Sequence, residues 1–235
     1  MAIKDYPPSE RPVWQLVGRE LLAMAAAGVL FPFGVRRSEK RTTRKGEQRT
    51  VVLIHGYMAN RSGMLLLGTY LRARGGANQV LSFNYRSAAG IENGARELKE
   101  YLRKHVRGGR IDLVCHSLGG LVARVYLQEL GGARRVDQCV TLGTPHRGTY
   151  NAYWVASRVG RELRPDSALL QRLEASRGKA AAVQFTSIVA GSDNIVIPRV
   201  FAANEDTIHL SDVGHMGMLF SPAAFSAVFQ RLQRQ

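Results

Sequence analysis

At 235 residues the chain has room for one full α/β domain with a sizeable core, and too little for two independent ones. Its 45% apolar and 22% charged side chains are ordinary for a globular protein. The net charge of +15 is large, with 27 arginines and 6 lysines against 18 acidic residues, but no nucleic-acid motif or aromatic interleaving accompanies it, so nucleic acid is not an expected partner. Cys115 and Cys139 both fall in predicted strands and read as reduced core residues, which leaves no disulfide framework. No Cys/His cluster has zinc-ligand spacing, so no metal is expected.

Prolines at 7, 8 and 12 suggest a poorly ordered beginning. Leu21 to Val35 is then an uncharged stretch of 15 residues, LLAMAAAGVLFPFGV. It is shorter than the roughly 20 apolar residues a spanning helix needs, and Pro32 is expected to break it near its end. A secretory signal fits poorly, because the small residues Ala23, Ala25 and Ala27 lie inside the apolar run and not after it. Three readings stay open: a helix packed on the domain, an interfacial membrane anchor aided by the basic segment behind it, and a signal or marginal span. Residues 36–49, with seven basic and two acidic side chains, read as a solvated linker. Residues 1–49 are therefore an N-terminal extension, with peripheral contact to a membrane or lipid interface expected through 21–49. A cytoplasmic or membrane-associated location is favoured over secretion.

From Thr50 the pattern becomes short apolar strands alternating with amphipathic helices. Val51 to Ile54 reads as a strand, 62–74 as a helix and Val80 to Phe83 as the next strand. Ile91, Ala95, Leu98, Leu102 and Val106 mark one helical face, with Glu92/Arg96 and Glu100/Lys104 as expected ion pairs. A strand at 111–114 leads into a helix that runs to about Leu130, and 136–142 is another strand. The irregular segment 145–182 carries Tyr150, Tyr153 and Trp154 before one short helix, with Pro165-Asp166 starting a second; it reads as a small helical cap or lid. Strands at 183–189 and 207–210 precede a closing helix with Ser221 as N-cap and Pro222 at its first position. Strands alternating with helices imply a mainly parallel sheet covered on both faces, whose active site lies at the carboxyl ends of the strands.

Chemistry enters at Val114-Cys115-His116-Ser117-Leu118-Gly119-Gly120. A serine on so tight a strand-to-helix turn has its hydroxyl pushed out of the chain's path, the nucleophile-elbow geometry usually spelled G-x-S-x-G. Here Cys115 takes the first glycine's place, so the spelling alone is weak. A serine hydroxyl needs a base, and the base a group that orients it. Asp193 follows the strand at 183–189, and His215 follows the one at 207–210 between glycines. The order Ser117, Asp193, His215 is the one an elbow of this kind takes. Asp212 and Asp206 are rival acids, but Asp193 is favoured by its place after the strand. The oxyanion donors expected are the backbone N–H groups of Leu118, at a helix N-terminus, and of Tyr57, in the loop after the first core strand. His55 and His116 read as orienting groups for the oxyanion loop and elbow, and His146 as a structural part of a strand-exit loop. Met58, Leu118, Ile195, Val196 and Met216 are candidate acyl-pocket residues.

These motifs, with Val52-Leu53-Ile54-His55-Gly56-Tyr57, Leu142-Gly143-Thr144-Pro145-His146-Arg147-Gly148-Thr149 and Gly214-His215-Met216-Gly217, resemble the α/β-hydrolase superfamily, and within it the small bacterial lipases and esterases. Thr186 to Phe220 looks particularly like the minimal, nearly lidless lipases of bacilli, which place alanine where this chain has Cys115. The resemblance covers roughly residues 50–232. It implies an α/β-hydrolase fold and a cofactor-independent serine hydrolase acting on carboxylic esters with apolar acyl chains. Thioesterase, phospholipase and acyltransferase share the chemistry, and a membrane-attached binding protein on a hydrolase fold is the non-enzymatic rival.

Overall fold

A computed structural model describes residues 11–35, 49–75, 77–197 and 206–234. In chain order these are α1 (Val13–Val35), β1 (Thr50–Ile54), α2 (Leu65–Ala73), β2 (Gln79–Phe83), α3 (Ile91–His105), β3 (Ile111–His116), α4 (Leu118–Glu129), β4 (Val136–Leu142), α5 (Arg158–Glu162), α6 (Ala168–Ala175), β5 (Gln184–Ala190), β6 (Asp206–Leu210) and α7 (Pro222–Gln233), with short 3-10 turns between several of them. The six strands form one parallel sheet in the order β2-β1-β3-β4-β5-β6. This is the expected α/β fold class.

Parallel strands are buried on both faces and so read as unbroken apolar runs. Every residue of β1 and β3 is buried accordingly. Alternation along each strand feeds two cores. Val52, Ile54, Leu113 and Cys115 pack with Leu98 and Leu102 of α3 and Leu121 and Val125 of α4. Val51, Leu53, Val114 and Val140 pack on the other face with Leu67 and Leu71 of α2 and Val228 and Leu232 of α7. Each side chain of this size stabilises the fold by about 2 kcal/mol on burial. The closing helix starts as its sequence dictates: Ser221 Oγ accepts from Ala224 N at 3.3 Å, and Pro222 follows at the first position.

Three expectations are corrected. The N-terminal helix is 23 residues long, beginning at Val13 and running past Pro32 to Val35. The 15-residue window was therefore too short, because helix includes the charged turn before it. Within the expected poorly ordered beginning, residues 13–20 are helical, while residues 1–10 and the expected linker (36–48) lie outside the described residues. Glu92 pairs with Arg158 at 3.6 Å and with Arg172 instead of Arg96, and Glu100 pairs with Arg103 at 2.8 Å instead of Lys104. For Glu92 the cause is tertiary: the two short helices of 145–182 lie over this end of α3. The second of those helices is capped by Ser167, whose Oγ accepts from Leu170 N at 3.3 Å, two residues beyond Pro165.

Candidate active site

Ser117 sits between β3 and α4 with φ 52° and ψ −124°, the left-handed region that a residue with a Cβ rarely adopts. Such strain costs about 1–3 kcal/mol and persists only where its surroundings impose it. The backbone is pinned on both sides. Ser117 N donates to Leu142 O at 2.8 Å, and Ser117 O accepts from Gly120 N at 3.0 Å and from Thr144 Oγ1 at 2.9 Å. Although Ser117 occupies the N-cap position of α4, its side chain makes no capping hydrogen bond. The hydroxyl is thus not spent on the helix. Gly119 allows α4 to start this close to β1: a Cβ there would lie 2.7 Å from the carbonyl oxygens of both Ile54 and His55.

Asp193 and His215 come from neighbouring strand exits that are zipped together, Gly191 N donating to Leu210 O at 2.8 Å and Ser192 N to Val213 O at 3.1 Å. Both side chains are buried, and His215 Nδ1 donates to Asp193 Oδ2 at 2.7 Å. The other carboxylate oxygen accepts from Ile195 N and Val196 N, each at 2.9 Å, which fixes its plane. Burial would raise the Asp193 carboxyl, but the hydrogen bond and charge of His215 and the two amides outweigh it and hold the group below the usual carboxylate range. A carboxylate only accepts, so Nδ1 carries the proton, and the neutral form of the ring has its lone pair on Nε2. Gly143, at φ 56° just after β4, makes room for this ring: a Cβ would lie 3.1 Å from His215 Nδ1 and 2.5 Å from Met218 Cε. The rival acids are engaged elsewhere, Asp212 with Arg11 at 3.5 Å and Asp206 with Arg231.

The neighbouring histidines act on backbone. His55 Nδ1 donates to Gly56 O at 2.9 Å, its Nε2 accepts from Tyr85 N at 3.4 Å, and its ring stacks on Tyr85 at 4.5 Å. His116 Nε2 donates to His215 O at 3.1 Å, tying the β3–α4 turn to the His215 loop. Burial, first of all, lowers His55 to about 4 and His116 to about 3, so neither carries charge at neutral pH. His146 Nε2 meets Thr141 Oγ1 at 3.0 Å within the β4 exit. Both cysteines are free and buried, and burial pushes the Cys115 thiol up, away from a thiolate.

Tyr57 follows β1 and Leu118 opens α4, so the two expected oxyanion donors leave adjacent parallel strands. The next amide along, Met58 N, is taken by Ser87 Oγ at 3.0 Å. Of the expected acyl-pocket residues, Met58 is 75% exposed and Ile195 38%, whereas Val196 and Leu118 are buried. Met216 packs against the core beneath α2 and α7. A cavity of about 400 Å³ opens at the opposite edge of the sheet, among the charged residues Arg49, Arg110, Asp112 and Asp137, away from Ser117.

Three contributors were missed in the sequence. Thr144 steadies the elbow carbonyl. Arg124 is 1% exposed and donates to His146 O at 2.9 Å and Leu173 O at 3.1 Å. Glu20, from α1, accepts from Met216 N and, at 2.9 Å, from Gly217 N, directly beside His215. A lone carboxylate bordering an apolar run was the available signal for Glu20; nothing local marks the other two.

The fold is that of the α/β-hydrolases. It is similar to the lin2722 product of Listeria innocua, with a TM-score of 0.63 and 16% identity over 80% of this chain and 95% of that one. The mature lipase BlEst2 of Bacillus licheniformis superposes with a TM-score of 0.64 at 13% identity, over 83% and 96% of the two chains. A pyrethroid hydrolase from Sphingobium faniae JZ-2 gives 0.56 at 15% identity, over 79% and 98%. A family model matches residues 33–154, more than half of the chain, and the protein thereby belongs to the family described as a domain of unknown function, DUF7379.

Proposed function

We propose that the protein is a serine carboxylic-ester hydrolase acting on esters with apolar acyl chains. The observation that carries this reading is the buried pair of Asp193 and His215, 2.7 Å apart, at the same sheet edge as the strained Ser117. In the proposed reaction His215 Nε2 takes the Ser117 proton as Oγ attacks the ester carbonyl. The oxyanion forms against the Leu118 and Tyr57 amides, where one donor is worth about 3 kcal/mol of barrier. The leaving alcohol departs with the proton from His215, giving an acyl-Ser117. Water, deprotonated by the same imidazole, then releases the acid. Asp193 holds the tautomer throughout and stabilises the transient imidazolium. All of these groups are protein side chains and amides, so the mechanism calls on no cofactor.

Apolar acyl specificity is supported by the character of the catalytic edge, where Met58, Ile195 and Ile197 stand exposed. The solved structures that share the fold include the lipase and the pyrethroid hydrolase named above, which supports a hydrolase reading. A fluorophosphonate probe tests the assignment: wild type labels and Ser117→Ala does not. Labelling of both, or of neither, sinks it. Hydrolysis of p-nitrophenyl esters across acyl lengths then separates the ester reading from thioester hydrolysis or acyl transfer.

A further inference from the structure

We propose that α1 is a docking helix for an anionic phospholipid surface. By length and composition it could cross a membrane, with a mean hydropathy of 1.5 over its most apolar window, yet just 11% of that window is buried. Its inward stripe is Glu20, Ala23 and Gly34. The outward face is nearly all apolar: Trp14, Leu21, Leu22, Val29 and Phe33 are each more than 60% exposed. A contiguous apolar surface of this kind marks an interaction site.

The polar ties of α1 decide how it can lie. Glu20 is bound to the His215 loop, Phe31 O accepts from Asn60 Nδ2 at 2.9 Å, and Gly34 O accepts from Arg61 Nε at 2.9 Å. Residues 20 and 34 are about 21 Å apart along a helix axis. A helix held to the domain at both points lies along it and presents its outer face sideways, in the manner of an interfacial helix and not a span. Three features select lipid as the occupant. Charge complementarity is the first, because the chain carries +15 and Arg19 stands exposed on the helix itself. The second is a cleft of about 290 Å³ alongside α1, lined mainly by apolar residues such as Leu16, Leu22, Ala23, Val213 and Phe220, which suits a lipid tail. The third is the catalytic edge, where Tyr150 and Trp154 are exposed, the amphipathic rings that favour a lipid–water boundary.

The test uses the full chain and sedimentation with vesicles. Binding is expected to vesicles of mixed phosphatidylglycerol and phosphatidylcholine, about tenfold or more above binding to phosphatidylcholine alone, and to weaken with salt. Leu22→Glu/Val29→Glu/Phe33→Glu, all at exposed positions, should cut partitioning at least tenfold while hydrolysis of a short soluble ester stays at the wild-type rate. Equal binding to both vesicle types, or partitioning untouched by the triple variant, overturns the proposal. So does a dimer joined through α1, read by light scattering as a mass that the triple variant halves, with no vesicle binding. Partitioning is read without catalysis, so its failure is distinct from failure of the ester reading.

The Glu20 contact carries a second inference independently. The geometry assigns Glu20 as a positioning residue for His215, and this rests on the ester reading. Its carboxylate, 7% exposed, accepts the Met216 and Gly217 amides, which open the 3-10 turn Gly217–Phe220 and have no partner within that turn. On the other side His116 holds His215 O. The base is thus clamped between the elbow and α1. Glu20→Gln, which keeps one acceptor, should lower the rate of probe labelling at Ser117 about threefold to tenfold, and Glu20→Ala more, with kcat falling in step and KM unchanged. A purely structural role would lower the melting temperature and leave the labelling rate of the folded protein at the wild-type value; that result overturns the assignment. Absence of labelling in wild type instead sinks the ester reading itself.

Discussion

Acidification from pH 7 to pH 5 is expected to cost the fold about 4 kcal/mol through His55 and His116 alone. Both rings are buried, at 1% and 3% exposure, and both are held neutral. Burial lowers His55 to about 4, partly opposed by its bonds to Gly56 O and Asn84. Burial, and after it the charge of His215, lowers His116 to about 3. In the unfolded chain each titrates near 6.5. A histidine with a depressed folded value contributes its full stability above the unfolded value and loses it as pH falls toward the folded one. At pH 7 almost nothing is lost; by pH 5 each ring has given up about 2 kcal/mol. Asp193 does not titrate in this window, being held below the carboxylate range. Set against a total stability of about 5–15 kcal/mol, the loss should lower the melting temperature by roughly 10 °C. Urea unfolding at the two pH values, for wild type, His55→Gln and His116→Gln, reads it directly. Each variant should remove about half of the pH dependence. A wild-type loss below about 1 kcal/mol, or variants that keep the whole slope, would refute the neutral-histidine account.

Two further outcomes follow from the site. Asp193→Asn should leave the fold in place and, on the proposed mechanism, lower kcat about a thousandfold to ten-thousandfold, because Nδ1 of His215 loses the acceptor that fixes its tautomer; ester hydrolysis within tenfold of wild type would remove Asp193 from the proposed triad. Gly119→Ala should cost about 1–3 kcal/mol and slow probe labelling, since its Cβ would meet two backbone oxygens at 2.7 Å; unfolding curves and labelling rates measure both effects, and an unchanged pair would show the elbow to be less tightly packed than described.

The sheet was legible because parallel strands leave a local record. Val51 to Ile54 is an unbroken apolar run, Ile111 to Cys115 is one interrupted by Asp112 alone, and turn residues bound each of them. The positions of Asp193 and His215 could be read by counting strand exits, since topology alone brings consecutive exits to one edge. What the sequence did not disclose depends on distance in the chain. Glu20 meets Met216 and Gly217 across nearly the whole chain, and no periodicity encodes such a partner. Glu92 satisfied a helical pairing rule with Arg96, but exposed pairs at that spacing are worth only about 0.3–0.5 kcal/mol. The arginines of the overlying segment outcompeted it easily. At α1, the expectation of a break at Pro32 failed because that proline lies in the last turn of the helix. There it removes a single internal bond, and Asn60 and Arg61 hold the carbonyls of Phe31 and Gly34 from outside.

The same long-range logic bears on whether residues 145–182 act as a moving lid. Arg124 lies on the elbow helix two turns beyond Ser117, and its guanidinium reaches His146 O in the β4 exit and Leu173 O in α6. A buried cation donating to buried carbonyls is costly to pull apart, because both ends lose their partners without regaining water until the segment opens fully. Around it, Arg172 binds Glu129 at 2.8 Å, and Ser176 Oγ meets Gln128 Oε1 at 3.1 Å. These outer contacts are weak singly, but they close over the Arg124 centre. The segment is therefore expected to be a fixed cover. Trypsin offers the test, since Arg161, Arg172 and Arg177 stand in it as cleavage sites. The native protein should resist cutting there, and Arg124→Met, which keeps the stem but leaves two buried carbonyls without donors, should be cut at these sites at least tenfold faster while losing about 2–4 kcal/mol. Rapid cutting of the wild type at these three arginines, with the sheet intact, would show that the cover opens and that Arg124 does not hold it.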